Sequence, residues 1–292
     1  MTSLAWPSHD DLVQAYRAAA KVAAQLHLAL GQHRGFAGRA LGTGLGSSIE
    51  YEDHRPFTPG DDPRYLDWAA FARSGQMISK VYREEVAPEV DVVIDISRSM
   101  FLGASKRQRS LELAYFTTIA AYEMQAAVVI HTVAGPRVRR HRLETFLAHH
   151  WLEEPSDDDT RVDLRRVAWR PQSMRVLVSD LLFPGAPHLL LRPVALRAGR
   201  ASVFVPYTHK EIAPTFEGTC RLVDCETGAS LVQHIDDRTL ERFYEAYMRH
   251  FSLWRETCRK ASVSFARIAA EPPLSTALEE EALPAHMVLP WT

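Results

Sequence analysis

The stretch "DVVIDISRSM", residues 91–100, decides the fold. It opens as a buried strand, a short continuous Val/Ile run, and ends in Asp95, Ser97 and Ser99, three oxygen-bearing side chains at alternate positions. Downstream the same grammar repeats. "AAVVIHTVA", "MRVLVSD" and "ASVFVPY" are strands, and "KRQRSLELAYFTTIAAYEMQ" and "PHLLLRPVALRAG" are helices between them. "RLETFLAHHWL" and "RVDLRRVAW" read as further helical pieces. Short apolar runs separated by amphipathic helices predict an α/β domain with a doubly wound, mostly parallel sheet covered on both faces. Its span is about residues 89–270, with a hairpin at "CRLVDCETGASLVQHI", a long helix starting at Asp236 or Asp237, and a last strand "SVSFARI".

Upstream, apolar residues recur three or four apart from about Ser8 to Gly31, which predicts an N-terminal helix over 1–31. Residues 32–88 read as an extended, partly β segment, with strands at "IEYEDHRPF" and "MISKVYREEV". The glycine-rich "GTGLGSS", residues 42–48, follows no strand and opens no helix, so it reads as a link rather than a dinucleotide loop. Residues 271–292, rich in Pro and Glu, are expected to form a loosely packed tail.

Composition narrows the function classes. A chain of 292 residues with a formal charge of −2 carries no obligatory signal for nucleic acid or an anionic membrane. The three cysteines, Cys220, Cys225 and Cys258, are odd in number and form no CxxC pair. Together with the absence of a signal-peptide pattern and of any apolar run of about 20 residues, this predicts a cytoplasmic protein that does not insert into a membrane. No GxxxxGK[ST] occurs. His149 and His150 are expected on a solvated helix face, and "RVRRHR", residues 137–142, at a solvated edge. The five acidic residues of "WLEEPSDDDT" read as a loop.

In a doubly wound sheet, ligands bind beyond the carboxyl ends of strands where the crossovers diverge. Asp95 lies at one such end, and Ser179 and Asp180 close a second strand in the same manner. Carboxylates and hydroxyls suit a hard, partly hydrated cation such as Mg²⁺, with Mn²⁺ as the alternative. Because hydroxyl ligands leave net positive charge, such a site wants an acidic ligand from outside. Asp180 is expected to face solvent, so that its replacement by Ala weakens binding without unfolding the chain. The competing view makes Asp and Ser ordinary capping and turn residues.

"DISRS" resembles the D-x-S-x-S of the metal-ion-dependent adhesion site (MIDAS) in von Willebrand factor A-type domains. "HRPFTPGDDPRYLDWAAFAR", followed by "KVYREE" and "RLVDCETG", resembles the signature of the domain-of-unknown-function 58 family, and the likeness runs over roughly residues 35–270. The resemblance implies a von Willebrand factor A-like fold. It also implies Mg²⁺ touched by Ser97 and Ser99, by Asp95 mostly through water, and by Asp180. Thr160 is the best candidate for the threonine of that motif, with Asp159 or Asp163 as substitutes. The glycine common after the late aspartate is Leu181 here. By the same resemblance the chain is a non-enzymatic, metal-dependent adaptor. It works with a MoxR-type AAA+ ATPase, and with a second A-type protein or a client complex. A Mg²⁺-dependent phosphohydrolase is disfavoured because Ser97 stands where a second acid is needed. A scaffold with a decayed metal site is the third reading. In the PGDDPR block, Asp61 or Asp62 is expected to cap a helix opened by Pro63. Arg64, Asp67 and Arg73 are read as part of a buried Arg–Asp network, with Trp68 and Phe71 available for burial.

Overall fold

The computed structural model describes residues 5–29, 41–45, 51–85, 87–154 and 162–291. The chain divides into two compact units, one comprising Met1–Ala29 with Glu89–Thr292, the other Leu30–Pro88.

The larger unit is built on a six-stranded sheet. Its strands are β1 (Glu89–Asp95), β2 (Ala127–Ala134), β3 (Arg137–His141), β4 (Met174–Val178), β5 (Arg200–Tyr207) and, after the separate hairpin β6 (Gly218–Val223) and β7 (Ser230–Ile235), β8 (Ser264–Ala269). The order across the sheet is β8-β5-β4-β1-β2-β3. All neighbours are parallel except β2 and β3, so the arginine-rich stretch forms an antiparallel edge strand. Val92, Val93, Ile94, Val176, Leu177 and Val178 are buried, as expected of central strands covered on both faces. The chain crosses from β1 to β2 on one side and returns to β4 on the other. The switch point therefore falls between the ends of β1 and β4.

Helix α1 (His9–Ala23) starts in a capping box, Ser8 and Asp11 each satisfying the other's backbone N–H. It ends eight residues short of the expected Gly31, and Leu26–Leu28 instead forms a strand paired with Val288–Pro290. Its buried face carries Ala15, Ala19 and Ala23, small enough to let it lie against helix α2 (Ala104–Glu123). Between α1, the sheet and the C-terminal segment, α2 is buried over most of its length, Lys106, Arg109 and Glu112 included. The tail is packed, not loose: Leu274, Leu278, Ala282, Met287 and Val288 are buried. "RLETFLAHHWL" shortens to a single helical turn and a half, α3 (Leu143–Leu147), and "RVDLRRVAW" to a 3₁₀ turn at Leu164–Arg166. His149 is not on a solvated face. It leaves the helix with φ +65°, and its Nδ1 lies 2.7 Å from the Tyr115 hydroxyl, inside an aromatic cluster with Tyr16. Helices α4 (Pro187–Ala195), α5 (His209–Ile212) and α6 (Asp237–Lys260) belong to the same unit, the last capped by Asp236, and a short helix at Leu274–Ala277 follows them.

In the smaller unit, Leu41–Leu45 and Tyr51–Pro56 flank Ile78–Glu85 in an antiparallel sheet. Part of the glycine-rich stretch is thus a strand rather than a link; 46–48 lie outside the described residues. Asp62 caps the 3₁₀ turn that Pro63 opens, and Asp67 caps the helix Trp68–Ser74. Asp67 is buried, while Asp61 and Asp62 form local pairs near the surface. Asp61 takes two hydrogen bonds from Arg55, at 2.7 and 2.8 Å, and Asp62 pairs with an exposed Arg64. Trp68 and Phe71 are exposed.

Candidate functional site

Strands β1 and β4 end side by side, and their last residues meet. The Ser179 hydroxyl donates to Asp95 Oδ2 at 2.7 Å, while Asp95 Oδ1 accepts from the Ser97 amide at 2.9 Å. The chain then turns through Ser97 into a 3₁₀ turn, Arg98–Phe101, which brings the hydroxyls of Ser97 and Ser99 to 3.2 Å from each other. Four of the five expected site residues, Asp95, Ser97, Ser99 and Asp180, therefore gather at the switch point. Thr160 and its substitute Asp159 lie outside the described residues. Asp163 is turned to other work, capping the 3₁₀ turn after it and pairing with Arg165 at 2.8 Å.

Asp180 corrects one expectation. It is 1% exposed, not solvent-facing, because α2 places Lys106 directly against it. The Lys106 Nζ lies 2.8 Å from Asp180 Oδ2 and 2.6 Å from Glu211 Oε1 on α5. Burial alone would lower the ammonium's pKa, but Asp180 and Glu211 outweigh it and hold the group above its usual range. Asp180 Oδ1 accepts from the Leu182 amide at 3.1 Å. Leu181, buried, keeps the backbone conformation a glycine would favour, with φ +57°, and its carbonyl accepts from His250 Nε2 of α6 at 2.9 Å.

The electrostatics are unbalanced. Asp95 is fully buried, and its carboxyl is pushed up to about 7 by that burial and then by the charge of Asp180. One ammonium faces Asp180 and Glu211, and among the described residues nothing cationic is hydrogen-bonded to Asp95.

A further acid reaches this loop from a distant part of the chain. Glu226, at the tip of the β6–β7 hairpin, accepts from the amides of Ser99 at 2.7 Å and Arg98 at 3.1 Å. Asp224 shapes that tip, its Oδ1 taking the amides of Glu226 and Thr227 at 2.8 and 3.1 Å. Cys225 beside it is half-buried, its thiol pushed up to about 11 by burial and by Glu226.

Sequence reasoning did not reach Lys106, Glu211 or Glu226. A lysine in the first turn of the helix after the D-x-S-x-S loop was the available signal for Lys106. The acidic turn of "RLVDCETG" was the signal for Glu226.

A divalent cation would find suitable donors here: one buried carboxylate with unmet charge, two adjacent hydroxyls, and a second carboxylate already shared with Lys106. By donor chemistry the residues present fit such an ion, with Asp95 rather than Asp180 the acid in need of it. Among the described residues no cluster of three or more His, Cys, Asp or Glu side chains is arranged to hold a metal, so the hydroxyls are indispensable to the fit. No helix among them is long and apolar enough to cross a membrane.

Residues 53–252 match a family model described as "Protein of unknown function DUF58". No significant match was found among curated proteins or among solved structures.

Proposed function

The chain belongs to the DUF58 family, and from that premise we propose that it is a protein-binding adaptor. Its strand-end cluster holds Mg²⁺ on a von Willebrand factor A-like body and offers it to an acidic residue of a partner. Asp95, Ser97 and Ser99 are the residues that hold the ion, with Asp180 behind them, and the family resemblance adds Thr160, which lies outside the described residues. Bound there, the cation supplies a positive charge with a coordination position open to a carboxylate. The chain's own residues do the rest. Ser179 and the Ser97 amide fix the Asp95 carboxylate, the 3₁₀ turn brings the two hydroxyls together, and Lys106 pairs with Asp180 inside the protein. The observation that carries the reading is the meeting of two buried carboxylates and two hydroxyls at the switch point, with no cation among the described residues hydrogen-bonded to Asp95. The family resemblance supplies the partner, a MoxR-type AAA+ ATPase acting in the assembly or maturation of another complex.

A second reading has its own support. Lys106, 2.8 Å from Asp180, already does a cation's work on one carboxylate, as in a scaffold whose metal site has been replaced by an internal ion pair. Calorimetric titration with Mg²⁺ and Mn²⁺ separates the two. A saturable heat in the wild type that is lost in Ser97→Ala/Ser99→Ala is the expected result. Flat traces in both would leave the scaffold.

A further inference from the structure

The β6–β7 hairpin is an odd element for a compact unit. Among the described residues its strands pair only with each other, and Val223, Leu231 and Val232 are 58–65% exposed. Little apolar burial holds it down. Its tip, by contrast, is shaped and anchored. Asp224 folds the turn, Gly228 takes φ +70° within it, and Cys225 and Glu226 are drawn inward. Both Glu226 oxygens are used, each on one loop amide, and Ser99, one of the residues so engaged, also carries one of the two paired hydroxyls. A carboxylate accepting two amide hydrogen bonds is a strong polar contact, whereas an arm with exposed strands has a low local unfolding cost.

We propose that Glu226 is an internal stand-in for a partner's acid. The hairpin tip closes the strand-end site in cis, and the partner segment that fits there is another turn carrying an acidic side chain, which docks by displacing it. This deepens the adaptor reading and rests on it for the partner's carboxylate, but the strap itself requires no metal. The exposed strands of the arm give it room to swing once the tip is released. The partner's chemistry follows from the occupant: a carboxylate on a tight turn, not a phosphate or an extended basic segment.

The test uses the full chain with Glu226→Ala, which vacates the amides without touching the core, and Glu226→Gln as the uncharged mimic. In metal-free buffer with chelator, hydrogen–deuterium exchange over 96–101 and 218–235 should run about tenfold faster in Glu226→Ala, with β1 and β4 unchanged. A labelled, cyclised peptide of residues 222–231, with serine for its cysteine, should bind Glu226→Ala about tenfold more tightly than wild type. The same peptide carrying Glu226→Gln should bind neither protein. Unchanged exchange in Glu226→Ala, or equal peptide binding to wild type and variant, overturns the strap. Repeating the peptide titration with Mg²⁺ keeps the two ideas apart. Binding to the vacated variant upholds the strap whether or not Mg²⁺ is present, and flat Mg²⁺ heats in wild type and variant alike remove the metal. A Mg²⁺ heat identical in wild type and Glu226→Ala, without peptide binding, upholds the metal and removes the strap.

Discussion

Asp95 is the residue on which the site's chemistry turns. Its carboxyl, held by Ser179 and the Ser97 amide, titrates near 7 in the folded chain because it is buried and faces the charge of Asp180. In the unfolded chain an aspartate titrates near 3.9. Between about pH 4 and pH 7 the folded state therefore holds a proton that the unfolded state has released, and stability falls as pH rises through that window. Above it the loss is complete and flat. In chelator, Asp95→Asn, which keeps the shape and cannot ionise, should melt above wild type at pH 8 and level with it near pH 4. Melting curves at both pH values check this, and a variant less stable than wild type at pH 8 would show that the charge is already compensated. The motif itself was legible in the sequence, since oxygen-bearing side chains at alternate positions after a Val/Ile run imply a strand-end cluster. The state of its acid was not, because that depends on Asp180, 85 positions away, and on burial that no local pattern encodes.

At the scale of elements, the site is set by where α2 enters the sheet. The helix begins soon after the D-x-S-x-S loop, so its first turn delivers Lys106 to Asp180, and α5, which directly follows β5, adds Glu211. A sequence reading treats a lone lysine in a helix as solvated. Here Lys106 is buried although its neighbours Ala104 and Ser105 are exposed, because its side chain is turned to Asp180 and Glu211. The strands themselves were readable because a continuous run of β-branched residues has one meaning between two helices. The short 3₁₀ turn at Leu164–Arg166 was not, since its Val and Leu repeat like those of a helix. Removing one partner of a buried ion pair leaves the other uncompensated. Asp180→Ala should thus destabilise the chain by about 3 kcal/mol, near the low end for such pairs because Glu211 still serves Lys106. Denaturant midpoints for Asp180→Ala, Lys106→Met and the double variant measure this, and the double change should cost less than the sum of the single ones. A single-variant loss within about 0.5 kcal/mol would return Asp180 to the surface-residue class.

Across the whole molecule, the larger unit joins the two ends of the described chain. The α/β alternation made its sheet visible in advance, but nothing local announces that residues 26–28 and 288–290 will pair, or that a Pro- and Glu-rich tail will be buried. Those contacts are long-range and rest on a few well-placed side chains. Met287 and Val288 are fully buried, the Ala29 amide donates to the Met287 carbonyl at 2.9 Å, and Trp291 Nε1 donates to the Ala23 carbonyl at 2.8 Å. The C-terminal segment thereby holds the end of α1, and α1 in turn covers the helix that carries Lys106. Ending the chain after Ala282 removes the paired strand, both buried side chains and the Trp291 hydrogen bond. At roughly 1.5–3 kcal/mol for each buried apolar side chain, that loss is about 4 kcal/mol before the strand pairing is counted. The melting temperature should fall by about 10 °C, and amide exchange in α1 should rise well before that in β1 or β4. If the shortened chain melts with the wild type and α1 stays protected, then α1 is held by α2 alone and the C-terminal strand is an ornament on the fold. The expected outcome is the opposite: α1 loosens first, and the burial of Lys106 and Asp180 loosens with it.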